Sequence, residues 1–196
     1  MDECIIICRP AAEPDSLDGY GDVPISFWVR SRIVVPVDGH VPPGAPLVEE
    51  AVDQPYFKDY DAIAGEGPTE WGRWLDISEW AVLRAYVGAE YAGAAVVAWK
   101  SSGAIVLEDR EDLAVLWDIR VHPDYRGRGV GHRLFAEAED WAREHGCREL
   151  KVETQNINAP ACRFYAREGC ELREINYGVF DDAPDEIQFY WYKDLT

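Results

Sequence analysis

Asp118-Ile119-Arg120-Val121-His122-Pro123-Asp124-Tyr125-Arg126-Gly127-Arg128-Gly129-Val130-Gly131 carries the chain from a β-favouring run into an amphipathic helix, and this passage decides the fold. Upstream, Leu113 to Val121 reads as a strand. Downstream, Val130, Leu134, Ala138 and Trp141 recur at helical spacing, with Phe135 and Ala142 widening the stripe and Glu137, Glu139, Asp140 and Glu144 opposite. Gly146 suits the C-terminal cap of that helix. Between the two elements, Gly127, Gly129 and Gly131 let backbone amides approach a ligand closely. The first N–H groups of the helix have no intrahelical acceptor, so the turn is a ready site for a phosphate or pyrophosphate.

The charge of the passage supports that reading. Between Ile119 and Ala136 stand four arginines, 120, 126, 128 and 133, against one acid, Asp124, in a chain whose net charge is -18. An anionic ligand accounts for both the local reversal of charge and the glycines. Two other phosphate motifs fail on spacing. His132 stands where a dinucleotide fingerprint needs its third glycine, and no G-K-[ST] completes a P-loop.

Working outward, Arg148 to Glu153 resumes as a strand, Asn158 to Arg167 forms a second helix stopped near Gly169, and Glu171 to Phe180 and Glu186 to Lys193 are further strands. Toward the N-terminus, Trp80 to Val87 and Tyr91 to Lys100 form an antiparallel hairpin through Gly88-Ala89-Glu90. Ile25 to Val37 is a first strand or bent pair, with Pro36 at its edge or end. The proline-rich stretch from 38 to 79 offers short helix-compatible pieces at Glu49 to Tyr60 and Glu70 to Trp74. Residues 1 to 24, with Pro10, Pro14 and Pro24 among acids, read as a loose arm, and residues 25 to 196 as a single domain.

The 196 residues, 47% hydrophobic with eight Trp and ten Tyr, supply a substantial core for one α/β domain. An acidic balance of this size repels nucleic-acid backbones and anionic lipid, so neither nucleic acid nor membrane is expected as a partner. The longest apolar runs fall short of the roughly 20 residues that cross a bilayer. The N-terminus does not read as a secretory signal, and the expected location is the cytoplasm. Cys4, Cys8, Cys147, Cys162 and Cys170 lack paired spacing, which argues for reduced thiols and against a metal site.

Arg126, Gly129 and Gly131 match [RQ]-x-x-G-x-G, and Asn158, Ala161, Tyr165 and Gly169 match N-x-x-A-x-x-x-Y-x-x-x-G. In this order the two motifs resemble those of the GNAT superfamily of N-acetyltransferases. The usual Phe after the last glycine is Cys170 here, a packing difference. Val152-Glu153-Thr154-Gln155-Asn156, Trp117 to Val121, Pro55 to Tyr60 and Glu186 to Tyr192 look like the streptothricin N-acetyltransferase subgroup. The resemblance runs from about residue 25 to 193, densely after 113.

The resemblance implies a GNAT acyl-CoA N-acyltransferase fold: a mixed, mostly antiparallel sheet, splayed at the cofactor cleft and flanked by helices. It also implies acetyl-CoA as co-substrate, no metal, and direct attack in a ternary complex. Backbone of Ile119, Arg120 and Val121 would hold pantetheine and the acetyl group. Arg126, Gly127, Arg128, Gly129, Val130 and Gly131 would hold pyrophosphate, with Asn158, Ala161, Arg163 and Tyr165 completing the cofactor site. Tyr165 is the candidate general acid, since a phenol with a pKa of about 10 can return a proton to the departing thiolate. Ordinary helix packing of Phe164 and Tyr165, and a helix cap at Asn158 with a solvated Arg163, are the plain alternatives.

The general base is Asp118, Glu153, or water linking one of them to the substrate. Regular alternation would place Val115, Trp117, Ile119 and Val121 on one face, and Asp118, Arg120 and His122 on the other, where Asp118 and Arg120 can simply pair. His122 reads as a turn residue. Residues 1 to 112 carry 21 acids and 8 bases, which suits a small cationic amine as acceptor or simply serves solubility. Trp28, Trp71, Trp74 and Trp80 are candidates to line an acceptor pocket, although core packing explains most tryptophans. A polyamine, aminoglycoside, amino acid or protein lysine remains an alternative acceptor, and a silent acyl-CoA-binding module an alternative class. A homodimer through the last strands would fit the superfamily.

Overall fold

The structure, a computed structural model, describes residues 5–9, 17–36, 39, 41–42, 44–65 and 67–196. In chain order the strands are β1 (Ile5–Cys8), β2 (Phe27–Val34), β3 (Val48–Lys58), β4 (Ala81–Val87), β5 (Glu90–Ala98), β6 (Leu113–Val121), β7 (Glu149–Gln155), β8 (Glu171–Asn176) and β9 (Gln188–Asp194). The helices are a single turn α1 (Trp71–Trp74), α2 (Val130–Glu144) and α3 (Ala159–Arg167). Two compact units emerge: Met1–Ser26 with Asp59–Leu150 and Leu195–Thr196, and Phe27–Lys58 with Lys151–Asp194.

In the first unit the strand order is β1-β4-β5-β6, every pair antiparallel. Gly88, at a φ of 62°, lets β4 turn into β5 so that Val87 faces Glu90. On one face Val82, Ala94, Val96, Ala98 and Val115 pack with Leu17, Tyr20, Trp71, Leu75, Ile77, Trp80 and Leu107. Residues of the other parity look toward α2, whose apolar stripe from Val130 to Ala142 is buried as its spacing requires. Gly93 marks the closest approach there. A carbon added to it would lie 2.7 Å from the Arg120 carbonyl oxygen and 3.3 Å from both Val121 Cα and Val130 Cγ1.

The alternation expected along β6 is corrected by a bulge. Val96 pairs with Asp118 and Val97 with Leu116, which leaves Trp117 as an extra residue on β6. Parity resets there. Asp118 and Arg120 therefore share the face of Val115, opposite Val96 and Ala94, while Ile119 and Val121 sit opposite Ala95 and Gly93.

Two expectations for the N-terminal half are also corrected. Glu49 to Tyr60, expected as helix-compatible, is strand β3, because Val48–Ala51 and Tyr56–Lys58 pair with the β-rich β2. Pro55 is tolerated because it falls where that register breaks, between the Val29–Tyr56 and Ser31–Ala51 pairs. The described part of residues 1 to 24 is not a loose arm. Ile5–Cys8 pairs with β4, and Leu17, Tyr20 and Val23 are buried. Residues 1–4 and 10–16 lie outside the described residues.

In the second unit β7, β9 and β8 follow in that order, β8 antiparallel to β9, and α3 packs on β2 and β8. The strand expected over Glu171 to Phe180 ends at Asn176. Asn156 is the hub of this unit. Its side-chain oxygen accepts from Ile187 N–H at 2.9 Å, its own N–H donates to the Ile187 carbonyl at 2.9 Å, and its carbonyl accepts from Ile33 N–H at 2.8 Å. Lys58 pairs with Glu186 at 2.8 Å nearby. Among the described residues, no helix is long and apolar enough to cross a membrane.

Candidate active site

The glycine-rich passage is built as a strand end, a capped turn and a helix start. His122 Nδ1 accepts from Asp124 N–H at 3.3 Å and caps the 3-10 turn Pro123–Tyr125, the turn role expected for it. Gly127 and Gly129 follow at φ values of 76° and 87°, the latter serving as N-cap of α2. An added carbon would meet nothing at Gly127, and at Gly129 only Ile5 Cδ1 at 3.9 Å. Backbone conformation, not crowding, therefore demands glycine at both positions.

Arg133 N–H is bonded to the Gly129 carbonyl at 3.0 Å, so the amides of Val130 and Gly131 precede the regular intrahelical pattern. Arg126, Arg128 and Arg133 are exposed around this start. Arg126 Nε also donates to the Val121 carbonyl at 3.0 Å, tying the loop to the end of β6, and the Arg128 guanidinium lies over the Tyr125 ring at 5.3 Å. Oriented amides, a helix N-terminus and a cationic rim fit a pyrophosphate.

On the other face of β6 lies a buried network. Arg120 donates to both Asp118 oxygens, from Nε at 3.0 Å and Nη2 at 2.7 Å, and to Asp61 at 2.8 and 3.2 Å. It also donates to the Val23 carbonyl at 3.1 Å, and its guanidinium sits 4.8 Å from the Tyr20 ring centroid. Tyr20 OH donates to Asp118 Oδ1 at 2.7 Å. Burial opposes the Arg120 charge, but its bonds to Asp118, the Asp118 charge and the bonds to Asp61 outweigh it and hold the guanidinium above its ordinary pKa. Burial and the Asp118 charge push the Tyr20 phenol well above its ordinary value. Of the two arrangements open for Asp118, pairing with Arg120 is the one displayed.

In the second unit Tyr165 is buried on α3, its ring centroid 5.3 Å from Phe164 and 6.4 Å from Trp191. Glu153 is exposed on β7 between buried Val152 and Thr154. Asn158 caps α3, its side-chain oxygen accepting from Ala161 N–H at 3.2 Å. Arg163 is exposed and pairs with Glu49, whose carboxylate also accepts from the Ser31 hydroxyl. The Ser31 and Arg163 bonds lower the Glu49 pKa.

The candidates thus divide into two groups. Asp118 through Gly131 belong to the first unit, and Glu153, Asn158, Ala161, Arg163 and Tyr165 to the second. Reasoning from sequence missed Tyr20, Asp61 and Asn156. The signal for the first two was a charged pair, Asp118 and Arg120, inside an otherwise apolar strand; Asn156 carries no comparable local signal.

This strand, glycine-rich turn and helix start suit a cofactor that carries a pyrophosphate. The chain belongs to the Acetyltransferase (GNAT) family, whose sequence profile matches residues 48–170. It is 31% identical over 149 residues to streptothricin acetyltransferase A of Bacillus subtilis (strain 168), covering 74% of this chain and 76% of that one. The crystal structure of nourseothricin acetyltransferase superposes with a TM-score of 0.71 at 26% identity, over 97% of this chain and 99% of its own. A Bacillus anthracis (strain Ames) protein provisionally assigned as a streptothricin acetyltransferase, solved with acetyl coenzyme A, superposes at 0.73 with 25% identity, over 97% and 98%. The chain is an acetyl-CoA-dependent N-acetyltransferase with the mixed, mostly antiparallel sheet of its family, and acetyl-CoA is its co-substrate.

Proposed function

We propose that this enzyme acetylates a primary amine of streptothricin and, by removing a positive charge, confers resistance to it. The observation that carries this reading is the reach of the similarity to the two solved acetyltransferases. It covers 97% of the chain and so includes the half before residue 113, where the donor motifs do not lie. That half carries 21 acids against 8 bases, a surface that suits a cationic acceptor. The family profile spans sequence from both units, which supports reading residues 25–196 as one catalytic domain.

Acetyl-CoA brings a thioester carbonyl and a thiolate leaving group. In this reading the chain's own residues do the rest. Gly127 to Gly131, with Arg126 and Arg128, bind the pyrophosphate, and the backbone of Ile119 to Val121 orients the pantetheine arm. Asn158, Ala161 and Arg163 belong to the second cofactor motif, N-x-x-A-x-x-x-Y-x-x-x-G. Glu153 or Asp118, directly or through water, takes the proton that the acceptor ammonium must lose before its nitrogen can attack; Asp118 is also bonded to Tyr20 and Arg120. The new C–N bond replaces the C–S bond, the Tyr165 hydroxyl gives its proton to the departing sulfur, and the second proton that the nitrogen sheds on becoming an amide restores the Tyr165 hydroxyl through water.

Thiol release from acetyl-CoA in the presence of streptothricin, free lysine, spermidine or an aminoglycoside tests the reading. Release with streptothricin at a far higher kcat/KM than with the others is expected. Release with only another amine would retain the enzyme and replace the acceptor. No release with any of them would contradict the acceptor class as a whole.

A further inference from the structure

Trp117 is the extra residue of the β6 bulge, and it is the centre of an aromatic cluster. Its ring centroid lies 5.0 Å from Trp80, 6.1 Å from Trp74 and 6.3 Å from Trp71. Trp71 and Trp80 are core residues, each 4% exposed. Trp117 is only half-buried, and Trp74 is 50% exposed. Core packing accounts for the first two but leaves half of Trp74 open beside Trp117. The segment bearing Trp74 is pinned, because Leu75 N–H donates to the Trp71 carbonyl at 3.0 Å and Ser101 Oγ to the Asp76 carbonyl at 2.5 Å. The Trp80 indole N–H is buried and has no hydrogen-bond partner among the described residues. A donor left so is destabilising unless an acceptor comes to it.

We propose that Trp74 and Trp117, backed by Trp71 and Trp80, form the shelf on which a cationic group of the acceptor lies. This rests on the acceptor reading above and adds the residues that recognise the acceptor's charge. Bulges re-aim side chains beside active sites, and this one places Trp117 directly before Asp118 to Val121, the strand proposed to carry the donor. Indole faces attract cations, more so when partly withdrawn from water. The charge of the segment that bears the shelf agrees: the described residues of 59–80, which contribute Trp71, Trp74 and Trp80, contain five acids and one base. Trp28, which is also exposed, differs in this respect. It packs on Phe57 at 5.8 Å in the second unit, where residues 27–58 carry four acids and three bases and so are close to balance.

Calorimetric binding of streptothricin and of acetyl-CoA to wild type, Trp74→Ala, Trp74→Phe and Trp28→Ala tests the shelf. Trp74→Ala should weaken streptothricin by roughly five- to thirtyfold, Trp74→Phe should recover part of that loss, and Trp28→Ala should bind as wild type. Acetyl-CoA affinity should stay within about twofold in every variant, which separates a lost contact from a lost fold. Unchanged streptothricin affinity in Trp74→Ala would overturn the shelf while leaving the acceptor reading standing. A wild-type protein that binds acetyl-CoA but neither binds nor acetylates streptothricin would overturn both.

Discussion

Tyr20 and Asp118 stand 98 residues apart in the chain and meet through a 2.7 Å hydrogen bond. The contact joins the segment before β2 to the strand proposed to carry the donor, and Arg120 closes it from the same strand at 2.7 Å to Asp118. A charged network this well buried stabilises only while complete, because each partner offsets the desolvation of the others.

Asp118→Asn should therefore lower stability by about 2–4 kcal/mol in urea denaturation, since Arg120 keeps Asp61 but loses its most buried counter-charge. A loss below about 0.5 kcal/mol would show that Arg120 does not depend on this carboxylate.

Tyr20 makes the network sensitive to alkali. Its folded-state phenol lies well above the ordinary 10.0, so above that pH the unfolded chain releases a proton that the folded chain retains. The contribution is complete below pH of about 10 and is lost as pH rises toward the folded value. Tyr20→Phe should be less stable than wild type at neutral pH by about 1–3 kcal/mol, and the difference should shrink as pH climbs past about 10. Urea midpoints measured across that range check it; a constant difference would contradict it.

At Gly93 even a methyl group must displace backbone, because the Arg120 carbonyl oxygen would lie at 2.7 Å. Gly93→Ala should cost about 1–3 kcal/mol and raise the KM for acetyl-CoA, since β6 and the start of α2 are pushed together from the same side. Wild-type stability and KM in this variant would argue against a tightly seated β6.

Thiol reactivity should follow burial. Burial raises the Cys162 thiol to about 12 and the Cys147 thiol to about 11, while Cys8 is exposed. Alkylation of the folded protein at neutral pH, mapped by mass spectrometry, should mark Cys8 well before Cys147, Cys162 or Cys170. Fast labelling of Cys162 would contradict its placement.

Where the sequence was legible, local periodicity and the structure agree. The stripe from Val130 to Trp141, the β4–β5 hairpin and the strand at Leu113 to Val121 need only near neighbours to be recognised. The glycines at 127 and 129 declared the turn into α2 by composition and context. Illegible features depended on distant partners. β3 carries three acids and a proline among its eleven residues and becomes a strand only because β2 pairs with it; β1 gains its place from β4. The bulge at Trp117 leaves no mark in a one-dimensional pattern, and a single unpaired residue turned Asp118 and Arg120 to the face opposite the one alternation assigned relative to Val115. Trp28, Trp71, Trp74 and Trp80 were legible as candidates to line a pocket, but Trp28 belongs to the other unit, and Trp117 as the residue that gathers the remaining three was not legible.

The most direct measurement is the mass of streptothricin after incubation with the purified chain and acetyl-CoA, with Tyr165→Phe run beside it. The account predicts one acetyl group on an amine of the antibiotic, and a rate roughly 10² or more lower in the variant with acetyl-CoA binding retained. Unmodified streptothricin in the presence of competent acetyl-CoA binding would contradict the proposed acceptor, and an undiminished rate in Tyr165→Phe would remove that residue from proton delivery.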